Sequence, residues 1–111
     1  MSISVAFLSC GRSDYSIYKP LIQHLSTETD FEITIVAFGS HPYELYGLTI
    51  EDIDVPSEAR LIKIEHLVSG DDAKANVNSM ALAMKKFSEF WEINDFDWVM
   101  SLGDRYEMFA A

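Results

Sequence analysis

Cysteine is almost absent from this chain. Cys10 stands alone among 111 residues, so no internal disulfide can form, and a reducing compartment is expected. Basic residues are scarce as well: eight Lys and Arg face eighteen Asp and Glu, a net charge of −10. That balance argues against general nucleic-acid or anionic-membrane binding, both of which need a basic face. It leaves room for a phosphate ligand, which a few arginines and the N–H groups at a helix start can hold. No apolar run approaches the ~20 residues of a membrane span. The N-terminus lacks a charged segment and a cleavage site, so no secretory signal is visible and a cytoplasmic protein is expected. There is no G-x-G-x-x-G and no P-loop lysine motif, which leaves NAD or ATP binding of those types unsupported. No Cys/His cluster offers a metal site, and no cofactor is expected. Repeats, low-complexity tracts and linkers are also missing.

What is present is globular. Nearly half the residues are apolar and 13% are aromatic, enough for one small domain or a piece of one. Ile3 to Leu8 is almost wholly apolar, as in a strand covered on both faces. A helix is expected to begin near Asp14 or Ser16, with Pro20 tolerated if it falls in the first turn. Phe31 to Phe38 has a β-branched centre and ends at Gly39, a second strand. Leu61 to Ile64 is a short third strand. Asp71 or Asp72 caps a long helix. Ala73, Val77, Met80, Met84, Phe87 and Trp91 form its expected apolar stripe, suited to a sheet or, alternatively, to a partner helix. Asn94-Asp95 breaks that helix, and Trp98 to Leu102 is strand four. This alternation predicts an α/β fold with a parallel Rossmann-like sheet of strand order 3-2-1-4.

Two polar motifs stand at strand-to-helix junctions. Gly11-Arg12-Ser13-Asp14-Tyr15 follows the first strand, and Gly103-Asp104-Arg105-Tyr106-Glu107 follows the fourth. In the expected order strands one and four are neighbours, so both motifs face one crevice at the C-terminal strand ends, where open sheets bind ligands. Arg12 can fork onto a phosphate or carboxylate. Asp14 and Ser16 can accept or donate at the helix start. Asp104 can serve as acid or base if burial tunes it, and Arg105 and Glu107 add a charge of each sign. The plainer alternative makes Asp14 and Asp104 helix caps and pairs Arg12 with one of them. Gly39-Ser40-His41 also follows a strand, and His41 suits proton transfer or substrate contact as well as a surface loop. His24 and His66 read as structural. Cys10 reads as a packing residue, with no local base to make it a nucleophile.

The run Ser9 to Ser16, Gly39-Ser40-His41, the Asp-containing loop before Ala73 and Gly103 to Glu107 resemble, in order and spacing, the UDP-N-acetylglucosamine 2-epimerase family. The similarity is greater to its hydrolysing branch, which feeds sialic-acid and related nonulosonic-acid synthesis. The other branch typically has Gly-Thr-Arg-Pro-Glu with a lysine five residues after the arginine, and Gly-Asp-Thr later. Here Ile17, Asp14 and Arg105 stand at the lysine, Glu and Thr positions. The resemblance implies a two-domain fold like that of GT-B glycosyltransferases. It implies a UDP-sugar substrate, converted from UDP-N-acetylglucosamine and water to N-acetylmannosamine and UDP. It also implies a homo-oligomer. Carried over by motif, Asp104 matches an acid/base carboxylate. Arg12 and Ser16 match residues on the UDP side, and Asp14, His41 and Arg105 match positions near the substrate.

Residues 1–111 are accordingly expected to be an incomplete N-terminal Rossmann-like domain, inactive by itself. Strand four would be an open edge, with Trp98, Met100, Met108 and Phe109 short of cover. Three other readings compete: a hydrolysing 2-epimerase of another UDP-2-acetamido sugar, a non-catalytic half-Rossmann module that binds a nucleotide or partner, and a response-regulator-like domain. The last wants an acidic pair after strand one, where this chain has Arg12 as well as Asp14.

Overall fold

A computed structural model describes residues 2–28, 30–39, 59–66, 72–103 and 106–111, with Arg12 and Tyr106 described as backbone. The elements run β1 (Ile3–Ser9), α1 (Arg12–Ser26), β2 (Phe31–Ala37), β3 (Arg60–Lys63), α2 (Ala73–Ile93), β4 (Trp98–Met100) and α3 (Tyr106–Ala110). The four strands form one sheet in the order β3-β2-β1-β4, and every pairing is parallel. This is the half-Rossmann order expected from the alternation of elements.

The apolar run of β1 is buried on both faces because helices cover both. Val5 and Phe7 join Ile33, Ile35, Tyr15, Tyr18 and Ile22 beneath α1. Leu8, Val36 and Phe38 point the other way, into Phe87, Phe90 and Met108 of α2 and α3. Alternate residues of a strand face opposite sides, so two core layers follow from one continuous apolar sequence. Aromatic edge-to-face contacts knit the second layer, with ring centroids 5.0 Å apart for Phe38–Phe87 and 4.9 Å for Phe90–Trp91.

Four expectations need correction. Helix α1 begins at Arg12, so Pro20 lies in its interior, past the first turn. It is exposed there, and the helix carries the missing N–H without ending. The buried face of α2 is Ala75, Ser79, Ala83, Phe87 and Phe90, whereas Val77 is 66% and Met84 48% exposed. The first half of that face is made of small residues, Ala75, Ser79 and Ala83, and the hydropathy stripe misses them. Strand β4 is three residues, not five, and its edge is open as expected, with Trp98 65% exposed. At the same edge Phe109 is 75% exposed but Met108 is buried, so the expected loss of cover holds for one of the two. Asp72 is the α2 N-cap, its carboxylate accepting from the Ala75 N–H at 2.8 Å.

Candidate functional site

Strand β1 leads through Cys10 and Gly11 into α1. Gly11 is the N-cap, in extended conformation and with no side chain to offer the helix. Asp14 in the first turn compensates by reaching back. Its Oδ2 accepts from the Cys10 backbone N–H and from the Cys10 thiol, both at 3.0 Å. This resembles a capping box shifted one residue outward. Both residues are buried, so the packing reading of Cys10 agrees with its place. The sequence reading saw no acid–base partner near this thiol, and the helical turn supplies one. The Ser9 hydroxyl donates to the Gly11 carbonyl at 3.3 Å, closing the turn from below.

The β4 exit lies beside this turn. Phe7 pairs with Met100 in register, and the Tyr18 hydroxyl of α1 donates to the Met100 carbonyl at 3.0 Å. Burial first, then the electrostatic influence of Asp14 and Cys10, pushes the Tyr18 phenol above its ordinary range, so it remains a donor. Three residues on, Gly103 has φ +77°, the left-handed region that favours glycine, and the chain turns there. Asp104, Arg105 and His41 lie outside the described residues. Among the described candidates, Arg12 opens α1, Asp14 is buried against Cys10, and Ser16 is exposed on α1. The topology brings the ends of β1 and β4 together, as the two motifs require. The contact expected between Arg12 and Asp104 falls outside the described residues.

The exit of β2 is built around a buried histidine. Gly39 has φ +62°, and a Cβ there would lie 2.6 Å from the Cys10 carbonyl oxygen. Its N–H donates to His66 Nε2 at 3.1 Å, and His66 Nδ1 lies 3.0 Å from the Ser79 carbonyl of α2. Desolvation holds the His66 pKa below its ordinary value, against the backbone acceptor at Ser79 and the charge of Glu107. Glu107 itself is buried on α3. The sequence showed His66 as structural but gave no sign of its partners, which come from three elements distant in the chain. Two concavities lined by described residues, about 720 Å³ around Thr27, Phe31 and Ala59 and about 390 Å³ around Ser4, Arg60 and Phe96, are at the opposite strand ends. They belong to the N-terminal rim of the sheet, away from the two motifs.

A parallel sheet with helices on both faces and glycine turns at C-terminal strand ends defines a Rossmann-like half-domain. Its family is specific: a sequence profile for UDP-N-acetylglucosamine 2-epimerase matches residues 23–111, and the chain belongs to that family. It is 32% identical over 108 residues to a hydrolysing GDP/UDP-N,N'-diacetylbacillosamine 2-epimerase of Campylobacter jejuni, covering 96% of this chain and 28% of that protein. It is 32% identical over 111 residues to a hydrolysing UDP-N,N'-diacetylbacillosamine 2-epimerase of Legionella pneumophila, with coverage of 96% and 28%. Identity to the polysialic acid biosynthesis protein P7 of Escherichia coli is 27% over 108 residues, covering 96% and 27%. The Campylobacter and Legionella 2-epimerases are both named as hydrolysing, as the departures at Asp14, Ile17 and Arg105 suggested. A crystal structure assigned as a UDP-N-acetylglucosamine 2-epimerase from Listeria monocytogenes has the same fold, with TM-score 0.70 and 23% identity over 99% of this chain and 27% of that one. The chain thus spans little more than a quarter of the length of the proteins it matches.

Proposed function

We propose that these residues form part of the N-terminal domain, in a two-domain GT-B-like fold, of a cytoplasmic, homo-oligomeric hydrolysing UDP-sugar 2-epimerase. The observation that supports this reading is the adjacency of β1 and β4 in a chain of this family, because the strands that lead into the two motifs are neighbours. The reaction removes the C2 proton of UDP-N-acetylglucosamine as the C1–O bond to UDP breaks. Water then adds across the resulting glycal: hydroxide joins C1, and a proton returns to C2 on the other face, giving N-acetylmannosamine. Such chemistry needs a carboxylate for proton transfer and cations or N–H dipoles for the departing diphosphate. Asp104 takes the first role. Arg12, with Ser16 on the same helix, takes the second. His41 and Arg105 stand on the sugar side, and Asp14 holds the turn that carries Arg12. Turnover belongs to a chain that also includes the remainder found in the relatives.

A second reading changes only the sugar. Two relatives at 32% identity are named for N,N'-diacetylbacillosamine, which favours a bulkier 2,4-diacetamido substrate over the sialic-acid route. The test offers both UDP-sugars to the full-length enzyme in D2O and follows UDP release and deuterium at C2. Release with C2 deuteration from one sugar selects it, and release from neither refutes the epimerase reading. Asp104→Asn is expected to remove nearly all turnover while UDP still binds. Near-normal UDP release by that variant would refute the role of Asp104.

A further inference from the structure

We infer that His66 is a positioning residue, a neutral imidazole clamp that fixes the β2 exit at Gly39 against the β1–α1 turn and so sets one wall of the crevice proposed above. The inference begins with hydrogen-bond direction. A backbone N–H only donates, so the Gly39 N–H, 3.1 Å from Nε2, requires a lone pair on that nitrogen. The ring proton then sits on Nδ1, where the Ser79 carbonyl accepts it at 3.0 Å. Both ring nitrogens are used, the ring is fully buried, and Phe38 packs beside it at 6.0 Å between centroids. One orientation and one tautomer satisfy this environment.

The clamp acts on a turn with no slack. Gly39 already lies so close to Cys10 that a methyl group would not fit. Cys10 is in turn held by Asp14 through its N–H and its thiol. A connected series therefore runs from Ser79 of α2 through His66, Gly39 and Cys10 to Asp14 of α1, across the C-terminal ends of β2 and β1. From Gly39 the chain continues to Ser40 and His41. The charged groups acting on the ring are Glu107 from α3 and Lys86 from α2, of opposite sign. The Lys86 ammonium donates to the Glu65 carbonyl next to His66 in sequence. A doubly protonated ring would set two N–H groups against each other at Gly39, so the clamp exists only in the neutral form.

The test reads the ring directly in the unmodified protein. A nitrogen–nitrogen coupling between the Gly39 amide and His66 Nε2, and an Nδ1–H tautomer that persists below the ordinary imidazole pKa of about 6.5, are the expected results. No coupling, an Nε2–H tautomer, or ordinary titration near 6.5 would overturn the clamp. In the full-length enzyme, His66→Phe keeps the ring packing and deletes both bonds. It should lower kcat/KM for UDP release roughly tenfold, because the crevice wall loses its fixed position and must be ordered on reaching the transition state. His66→Gln, whose amide oxygen reaches the Nε2 position, should restore most of it. Unchanged kcat/KM in a folded His66→Phe enzyme would refute the positioning role. If both variants fail to fold, the spectra decide. If the wild-type enzyme turns over no UDP-sugar, the epimerase reading fails, while the spectra still judge the clamp.

Discussion

Replacing Gly39 by alanine should destabilise the protein far more than the same change at Gly103, although both glycines have positive φ, +62° and +77°. Holding an L-residue in the left-handed region costs about 1–2 kcal/mol, and both variants bear that. Only at Gly39 does the new Cβ meet anything: the Cys10 carbonyl oxygen at 2.6 Å and the Cys10 Cβ at 2.9 Å, whereas nothing lies within 4 Å at Gly103. The obstacle is backbone, so a rotamer change cannot relieve it. Moving the turn away from Cys10 would stretch the Gly39 N–H bond to His66, and losing a buried hydrogen bond costs about 1–3 kcal/mol. Gly39→Ala is therefore expected to cost roughly 2–5 kcal/mol against about 1–2 for Gly103→Ala. At ~4–8 °C per kcal/mol for a domain of this size, the melting points should differ by at least about 4 °C. Urea unfolding followed through Trp91 and Trp98 fluorescence gives the same comparison, read as midpoints at equal slope. Equal destabilisation by the two substitutions would show that the approach of Gly39 to Cys10 carries no energy, and the argument would fail.

The buried face of α2 predicts that Phe87→Ala loses about 3–5 kcal/mol while Val77→Ala changes stability by less than about 0.5 kcal/mol; similar losses in chemical denaturation would restore the hydropathy stripe. Asp72→Ala should cost about 1 kcal/mol through loss of the α2 N-cap, and a thermal melt matching wild type would deny that bond a role. Asp14→Ala should destabilise by roughly 1–3 kcal/mol, since the buried Cys10 N–H loses its acceptor, and Asp14→Asn by less because an amide oxygen still accepts; the reverse order in urea midpoints would contradict the shifted capping box. Burial lowers the His66 pKa from the ordinary 6.5, so as pH falls through that value the unfolded chain takes up a proton first. Its contribution is complete above about 6.5 and declines below it by up to about 1.4 kcal/mol per unit, until the folded ring titrates. Urea midpoints between pH 7.5 and 5 should show this slope in wild type and lose it in His66→Gln.

The sheet was legible because its signal is local. Ile3 to Leu8 and Phe31 to Phe38 are β-branched or apolar runs of strand length, and the alternation with helices leaves few orders for parallel strands. The face of α2 was not legible, because hydropathy ranks Val77 and Met84 above Ala75, Ser79 and Ala83. The buried positions in its first half are nonetheless the small residues. Pro20 misled for a similar reason. A helix interior is unfavourable for proline, but fourteen other residues of α1 and the burial of Tyr15, Tyr18 and Ile22 outweigh one lost bond. At the site, the sequence identified the two motifs and Gly39, each a polar break after an apolar run. It could not show that Asp14 turns back to Cys10, or that His66 reaches Gly39 and Ser79. The first depends on the pitch of one helical turn, and the second on contacts between elements separated by long stretches of chain.

Tyr18 links parts of the molecule that the strand ladder alone would leave loosely coupled. Strand β4 has only three residues, a short lever from which to aim the loop beyond it. The phenol grips its last carbonyl from the helix that also carries Arg12 and Asp14. In the enzyme proposed above, the exits of β1 and β4 that flank the crevice are therefore tied to one helix. A ligand that bridges the two exits, as the proposed function requires, then finds them already tied to each other. Less ordering entropy is then lost on binding, and more of the contact energy remains as affinity.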